Sequence, residues 1–366
     1  MSSSYKKNTI TLSSVLILTL MLGGCGSDDD SDTTSDDTTT TGSDTVADAT
    51  GNYQSALFDT ATTSEELVDC TLENGSSTTC YQLTFNSNTV GDTEGEGTVG
   101  PYCPDTITTD RSESGLGVYD GATNPGFQSL VDAAQGMDAD GYDIVDEDGN
   151  IRMSDLTQGS EEEGFSYCLS AGFDSTLEVT FLIPVTPELR SEPYELGTID
   201  SLGVGVNGVP LTANPPSVTV AEEGVGGTGS GNIPALDQCG GHPDPSGYYH
   251  WHFIPQSINT VYESEDYDFT EQYGISCSNS FIDYDEPTSF AGLAKDGYPI
   301  YGAYDSVDAV DTLPDTVATV DECNGHSHTT DEFPDGVYHY HALEGGAPNL
   351  PPCLMGSFVD RSVTVE

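Results

Sequence analysis

The sequence predicts a mainly β fold: a disulfide-stabilised, β-rich domain, sandwich- or barrel-like, with an internal duplication and few short helices. Three observations carry this prediction. STLEVTFLIPV (Ser175–Val185), SVTV (Ser217–Val220) and GYYHWHFI (Gly247–Ile254) alternate side-chain character and concentrate β-branched and aromatic residues, as strands do. The 41 glycines and 20 prolines are enough to punctuate many short elements. Nine cysteines, at 25, 70, 80, 103, 168, 239, 277, 323 and 353, supply material for covalent cross-links. Helix evidence is thin. Asn124-Pro125 ahead of GFQSLVDAAQ resembles a helix start with proline in its first turn, and TSEELVD (Thr63–Asp69) suits another short helical turn.

The first residues are not part of the fold. Lys6 and Lys7 form a basic start, and an apolar run from Ile10 to Leu22, diluted by Ser and Thr, follows. Residues 1–24 therefore form a secretory signal, too short for a comfortable membrane span. Its ending, Leu22-Gly23-Gly24-Cys25, resembles a bacterial lipobox, which makes Cys25 the lipidated N-terminus. Gly26, rather than Asp, follows it. By resemblance to Gram-negative lipoproteins, this implies a lipid-anchored protein of the bacterial cell envelope, at the outer membrane. Residues 25–50 are rich in Ser, Thr and Asp with almost nothing to bury, which predicts a disordered, self-repelling tether. About 315 residues remain for folding, divided into an N-terminal β-rich region (51–200) and a C-terminal domain (201–366).

Charge excludes some partners. All 62 acidic residues follow the signal, but only five of the seven basic ones do, so the processed chain carries a net charge of −57. Such a surface cannot neutralise phosphates, which excludes nucleic acid as a partner. It also disfavours anionic lipid headgroups, so contact with the membrane is expected through the N-terminal lipid alone. With Cys25 lipidated, eight cysteines remain, an even number that implies disulfides in an exported chain. Eight cysteines allow 105 pairings, so the count alone selects none.

The C-terminal half contains a duplication. GVGVNGVPL (Gly203–Leu211), LDQCGGH (Leu236–His242) and GYYHWH (Gly247–His252) recur in order as GLAKDGYPI (Gly292–Ile300), VDECNGH (Val320–His326) and GVYHYH (Gly336–His341). Asn207 matches Asp296, Cys239 matches Cys323, His242 matches His326, and His250 and His252 match His339 and His341. The duplicated units thus span about 203–252 and 292–341. Each unit has a later cysteine, giving the expected bridges Cys239–Cys277 and Cys323–Cys353. For the remainder we expect Cys70–Cys80 and Cys103–Cys168.

Asp-x-Cys-x-Gly-His followed by Tyr-His-x-His, with a DGYPIYG-type segment between, resembles the YHYH domain family of exported bacterial proteins. The resemblance covers roughly Gly203 to Gly356, with Trp251 replacing the second tyrosine of the motif in the first copy. It implies a β-rich secreted domain with a histidine-based site and names no reaction.

All seven histidines lie between 242 and 341. On a strand, residues i and i+2 share a face, so each His-x-His can direct two imidazoles at one ion. The intervening Tyr249, Trp251, Tyr338 and Tyr340 would then pack inward and stiffen the strand. His242, His250, His252, His326, His339 and His341 are therefore candidate ligands for a transition metal, copper or zinc. His328, which has no histidine counterpart in the first unit, is an additional candidate. Asp237 and Asp321, five residues before the paired Gly-His positions, either orient an imidazole or cap a turn. Lys295 is either a cation for an anionic group near the histidines or a loop lysine paired with an acid. DADGYDIVDEDGN (Asp138–Asn150) spaces oxygen ligands like a calcium loop but lacks the terminal Glu, which leaves calcium or a solvated turn.

Two classes of function follow. One is a cell-envelope protein with a histidine-rich transition-metal site, with scope for a metalloenzyme, since three imidazoles and an open position can activate water. The other is a non-catalytic surface module for a carbohydrate or protein partner, in which the His and Tyr motifs are structural. No His-Glu-x-x-His, Gly-x-Ser-x-Gly or P-loop pattern is present.

Overall fold

The computed structural model describes residues 51–58, 62–87, 103–156, 162–197, 200–213, 215, 217–218, 231–254, 277, 290–302, 320–342 and 349–366. The signal, Cys25 and the tether lie outside these residues. In chain order the elements are β1 (Thr62–Thr71), β2 (Ser77–Asn86), β3 (Leu116–Tyr119), β4 (Gly126–Ser129), α1 (Leu130–Ala139), β5 (Met153–Asp155), β6 (Cys168–Ser170), β7 (Glu178–Pro184), β8 (Leu189–Glu195) and β9 (Ser201–Gly205). They continue as β10 (Pro210–Thr212), β11 (Ile233–Pro234), β12 (Gly241–Pro243), β13 (Tyr249–Trp251), β14 (Phe290–Ala294), β15 (Pro299–Tyr301), β16 (Gly325–His328), β17 (Val337–His341), β18 (Cys353–Gly356) and β19 (Val363–Val365). The fold is thus mainly β, with one α-helix and several sheets, and no closed barrel occurs among the described residues.

The central element is an eight-stranded sheet ordered β12-β13-β10-β9-β14-β15-β17-β16. This order reads as two copies of one four-stranded unit, and the duplication in the sequence explains it. In each unit a hairpin turned by Asn207-Gly208 or Asp296-Gly297 pairs in parallel with the His-x-His strand: Leu211 opposes Trp251, and Ile300 opposes Tyr340. An outer antiparallel strand then sets His242 opposite His250, and His326 opposite His339. The units join through antiparallel β9 and β14, with Gly203 opposite Ala294, Val204 opposite Leu293 and Gly205 opposite Gly292. This register is its own image under exchange of the repeats, so a local two-fold axis passes through the Val204–Leu293 pair. At the seam the backbones approach too closely for side chains. A Cβ on Gly203 would collide with the Leu293 carbonyl oxygen, and one on Gly292 with that of Val204.

Each face of this sheet is covered. Leu211, Trp251, Ala294, Ile300 and Tyr340 pack on one side with Leu354 and Phe358. Val204, Leu293 and Tyr301 pack on the other against Leu83 and Phe85 of β2 and Phe181 of β7. Those last residues belong to a four-stranded sheet ordered β1-β2-β7-β19. Smaller sheets pair β11-β6-β5, β18 with β8, and β3 with β4. Strands from either side of residue 200 therefore pair in three sheets: β19 with β7, β18 with β8, and β11 with β6.

The four bridges Cys70–Cys80, Cys103–Cys168, Cys239–Cys277 and Cys323–Cys353 are present, and the last two each lie within one repeat. Both helix expectations need correction. Residues 126–129 form β4, with Phe127 and Gln128 buried, and the helix begins only at Leu130. Ser129 caps it by accepting from the Asp132 amide, a stronger start than Asn124-Pro125. Thr63–Asp69 belongs to β1, whose pairing with β2, unbroken from Ser64 to Thr71, outweighs the local helix preference of Glu65, Glu66 and Leu67. Of SVTV, Ser217 forms a bridge to Val118 and Val218 is buried, while positions 219 and 220 lie outside the described residues.

The seam makes a direct prediction. Gly292→Val should destabilise the protein by about 3 kcal/mol or more, as forced overpacking does. Urea unfolding measures this. A loss below about 1 kcal/mol would show that the two repeats do not depend on backbone contact at this position.

Candidate metal centres

The antiparallel β12–β13 pair places three imidazoles together at one edge of the central sheet. His242 Nε2 and His250 Nε2 each lie 3.1 Å from His252 Nε2. At the other edge β16 and β17 bring His326 Nε2 to 3.1 Å from His341 Nε2, with His328 and His339 beside them. Within each set, {His242, His250, His252} and {His326, His328, His339, His341}, the potential ligand atoms lie within 4.8 Å of one another. All seven histidines thus fall into two clusters that could hold metal ions. His328 is a full member of its cluster.

Strand alternation puts both clusters on the face carrying Val204 and Leu293, at opposite ends. About six strand spacings separate them, on the order of 30 Å. Metal ions sharing one binuclear centre sit about 4 Å apart, so these are two centres and not one.

The tautomers are set by the backbone. His252 Nδ1 lies 2.5 Å from the Ala213 carbonyl oxygen, and His341 Nδ1 lies 2.7 Å from that of Gly302. Ala213 and Gly302 occupy equivalent positions in the two repeats. His328 Nδ1 meets the Thr329 carbonyl at 2.6 Å, and His339 Nδ1 meets that of Val337 at 3.1 Å. A carbonyl only accepts, so each of these Nδ1 atoms carries the proton and each Nε2 presents a lone pair. In the first cluster two neighbouring nitrogens thus converge on the single lone pair of His252, which can accept a hydrogen from only one of them. A shared cation satisfies all three.

The opposite face of the His strands holds them in place, as the alternation predicts. Tyr249, Trp251 and Tyr340 are fully buried, while Tyr338 is half-buried and packs against Tyr298. Asp237 Oδ1 accepts from the amides of Cys239 (2.8 Å) and Gly241 (2.9 Å), and its Oδ2 accepts from the Tyr249 hydroxyl. Asp321 Oδ1 accepts from Cys323 (2.9 Å) and Gly325 (3.0 Å), and its Oδ2 accepts from the Tyr338 hydroxyl at 2.8 Å. Both carboxylates cap turns and tie the backing tyrosines to them.

The copies differ behind the histidines. Tyr340 donates to Asp296 Oδ2 at 2.6 Å, and the Gly356 amide donates to the same oxygen at 2.9 Å. Burial pushes the Asp296 carboxyl up to about 6. In the first copy Trp251 offers no hydroxyl; its Nε1 donates to Tyr249 instead (3.2 Å), and neutral Asn207 replaces the acid. A buried carboxylate thus occurs where a phenol can pair with it.

Three further sequence expectations resolve here. Lys295 is buried on the far side of the sheet from the clusters, its Nζ 4.4 Å from the Phe358 ring centroid and 5.5 Å from that of Tyr194. It faces neither the histidines nor open solvent. Asp138–Asn150 does not form a calcium loop: Asp138 lies in α1, Asp140 Oδ2 accepts from Tyr119 and from the amides of Ala122 and Thr123, and Asp146 closes a turn with Asp148 and Asn150. Sequence reasoning missed the Ala213 and Gly302 carbonyls, although they stand at the same spacing as the other repeated positions. It also missed Tyr301, whose ring centroid lies 5.1 Å from that of His339.

No curated protein and no solved structure matches the chain. A family model described as YHYH protein matches residues 180–315, a span that includes the first histidine cluster and the central seam but ends before the second cluster. The second cluster is tied to that segment by the repeat itself, through shared strand order, register and carbonyl partners. Over residues 180–315 the chain is thus similar to the YHYH protein family.

Proposed function

We propose that this protein binds two transition-metal ions, zinc or copper, one in each repeat, in the bacterial cell envelope. The observation that carries this reading is the convergence of the imidazole nitrogens within each cluster, around His252 and His341, whose other ring nitrogens are fixed on the equivalent carbonyls of Ala213 and Gly302. Imidazole-only donor sets suit zinc and copper, and a carbonyl behind each ring is the usual outer support of a metal-bound histidine. His242, His250 and His252 would hold one ion, and His326, His328, His339 and His341 the other. Each ion would supply Lewis acidity or, in the case of copper, redox capacity. Four disulfides suit an oxidising compartment. Together with the Leu22-Gly23-Gly24-Cys25 ending and Gly26, they support lipid anchoring through Cys25 at the outer membrane.

Metal analysis of untagged protein tests the proposal. We expect two equivalents of zinc or copper per chain after loading and dialysis. One equivalent should remain in His339→Ala/His341→Ala, and one in His250→Ala/His252→Ala. Clearly substoichiometric metal that neither variant reduces would favour the non-catalytic surface module with structural histidines.

The first cluster also makes a pH prediction. Burial, followed by the neighbouring imidazole, lowers His242 from 6.5 to about 3, and burial lowers His252 to about 4 and His250 well below its usual value. The unfolded chain therefore takes up protons first as the pH falls. The contribution of these neutral rings to stability is complete above about 6.5 and is lost as the pH falls from there towards about 3. Metal-free protein should lose stability across this window more steeply than metal-free His250→Gln/His252→Gln. Equal slopes in denaturant unfolding would contradict the assignment.

A further inference from the structure

The two repeats keep the same register one residue pair beyond their first histidine. His326 faces His339, and two residues later His328 faces Val337. In the first copy His242 faces His250, and two residues later the Asp244 amide donates to the Tyr248 carbonyl at 2.9 Å. Asp244 therefore occupies the place of His328. One oxygen of its carboxylate holds the turn between β12 and β13: Oδ1 accepts from the Ser246 amide (2.8 Å), the Ser246 hydroxyl (2.7 Å) and the Gly247 amide (2.9 Å). It does not join the three-histidine group. No other residue of the chain can supply a fourth imidazole, because all seven histidines are placed. No thiolate is at hand either, because every cysteine after Cys25 is in a disulfide.

We propose that the two centres differ in kind: the His242/His250/His252 centre keeps a coordination position for a small ligand from solvent, water or a small monodentate anion, while the His326/His328/His339/His341 centre is closed by protein. The inference rests on the proposed metal binding and adds to it which centre is reactive. Tetrahedral sites with four protein ligands serve structure, whereas sites with three and an exchangeable fourth position bind and activate small molecules. The partly exposed edge of the first centre is His242, while His250 and His252 lie buried behind it. An incoming ligand is thus expected to approach past His242.

Cobalt(II) substitution with azide as the probe tests this. In untagged protein carrying two cobalt ions, azide should change the visible absorption of one ion and leave the other unchanged. His339→Ala/His341→Ala should retain the full azide response with one cobalt, and His250→Ala/His252→Ala should lose it. Asp244→His should keep two cobalt ions and lose the response. If that variant fails to fold because its turn is uncapped, His328→Ala provides the reciprocal test, since the second centre should then respond to azide as well. A response from both centres of the parent protein, or from neither, would overturn the inference; the latter would mean that a carboxylate from elsewhere fills the position. Failure to retain any cobalt would overturn the metal reading itself, which keeps the two failures distinct.

Discussion

The antiparallel contact between β9 and β14 is the constraint on which the rest of the structure depends. It fuses two copies of a four-stranded unit into one sheet, and its register places the symmetry axis on the Val204–Leu293 pair. Gly203 and Gly292, equivalent in the repeats, permit the approach of the two backbones. Because the axis stands perpendicular to the sheet, whatever one repeat presents on a face, the other presents on the same face at the far end. Two separated histidine clusters, and not one shared centre, are the geometric consequence.

Within each unit the histidines are held from two directions. Tyr249, Trp251, Tyr338 and Tyr340 pack behind the His-x-His strands; Asp237, Asp321 and Asp296 pin the three tyrosines, and Trp251 donates to the Tyr249 hydroxyl. The carbonyls of Ala213 and Gly302, one residue beyond β10 and β15, fix the second ring of each His-x-His pair. Rigid ligands whose protons are already on the outward nitrogen need little rearrangement to receive an ion. The copies have since diverged in coupled ways. Trp251 stands with Asn207 where Tyr340 stands with Asp296, and Asp244 stands where His328 completes a fourth donor. The first pair of exchanges replaces a buried acid and its phenol by two neutral groups; the second changes what the centre can bind.

Much of this was legible in the sequence because the duplication converts spacing into register. Matching Gly-His and His-x-His blocks identified the histidine pairs, the backing aromatics and the bridges Cys239–Cys277 and Cys323–Cys353. What was hidden depends on non-local contacts. The pairing of β9 with β14 joins segments about ninety residues apart and leaves no local periodicity. Glu65, Glu66 and Leu67 favour a helix by composition, yet β2 recruits them into a strand. Lys295 reads from the sequence as either a cation near the histidines or a loop lysine paired with an acid, but the sheet buries it beside Phe358 and Tyr194. Carbonyl partners such as Ala213 are invisible to any reading of side-chain types.

X-ray absorption at the metal edge of the zinc- or copper-loaded, untagged protein tests the central claim most directly. The account predicts a first shell dominated by nitrogen at about 2.0–2.1 Å with the outer scattering of several imidazole rings per ion. Replacing either His-x-His pair should halve the bound metal and leave imidazole scattering around the ion that remains. A shell dominated by carboxylate oxygen without imidazole scattering would contradict it, because the ion would then sit on the acidic surface and not between the histidines.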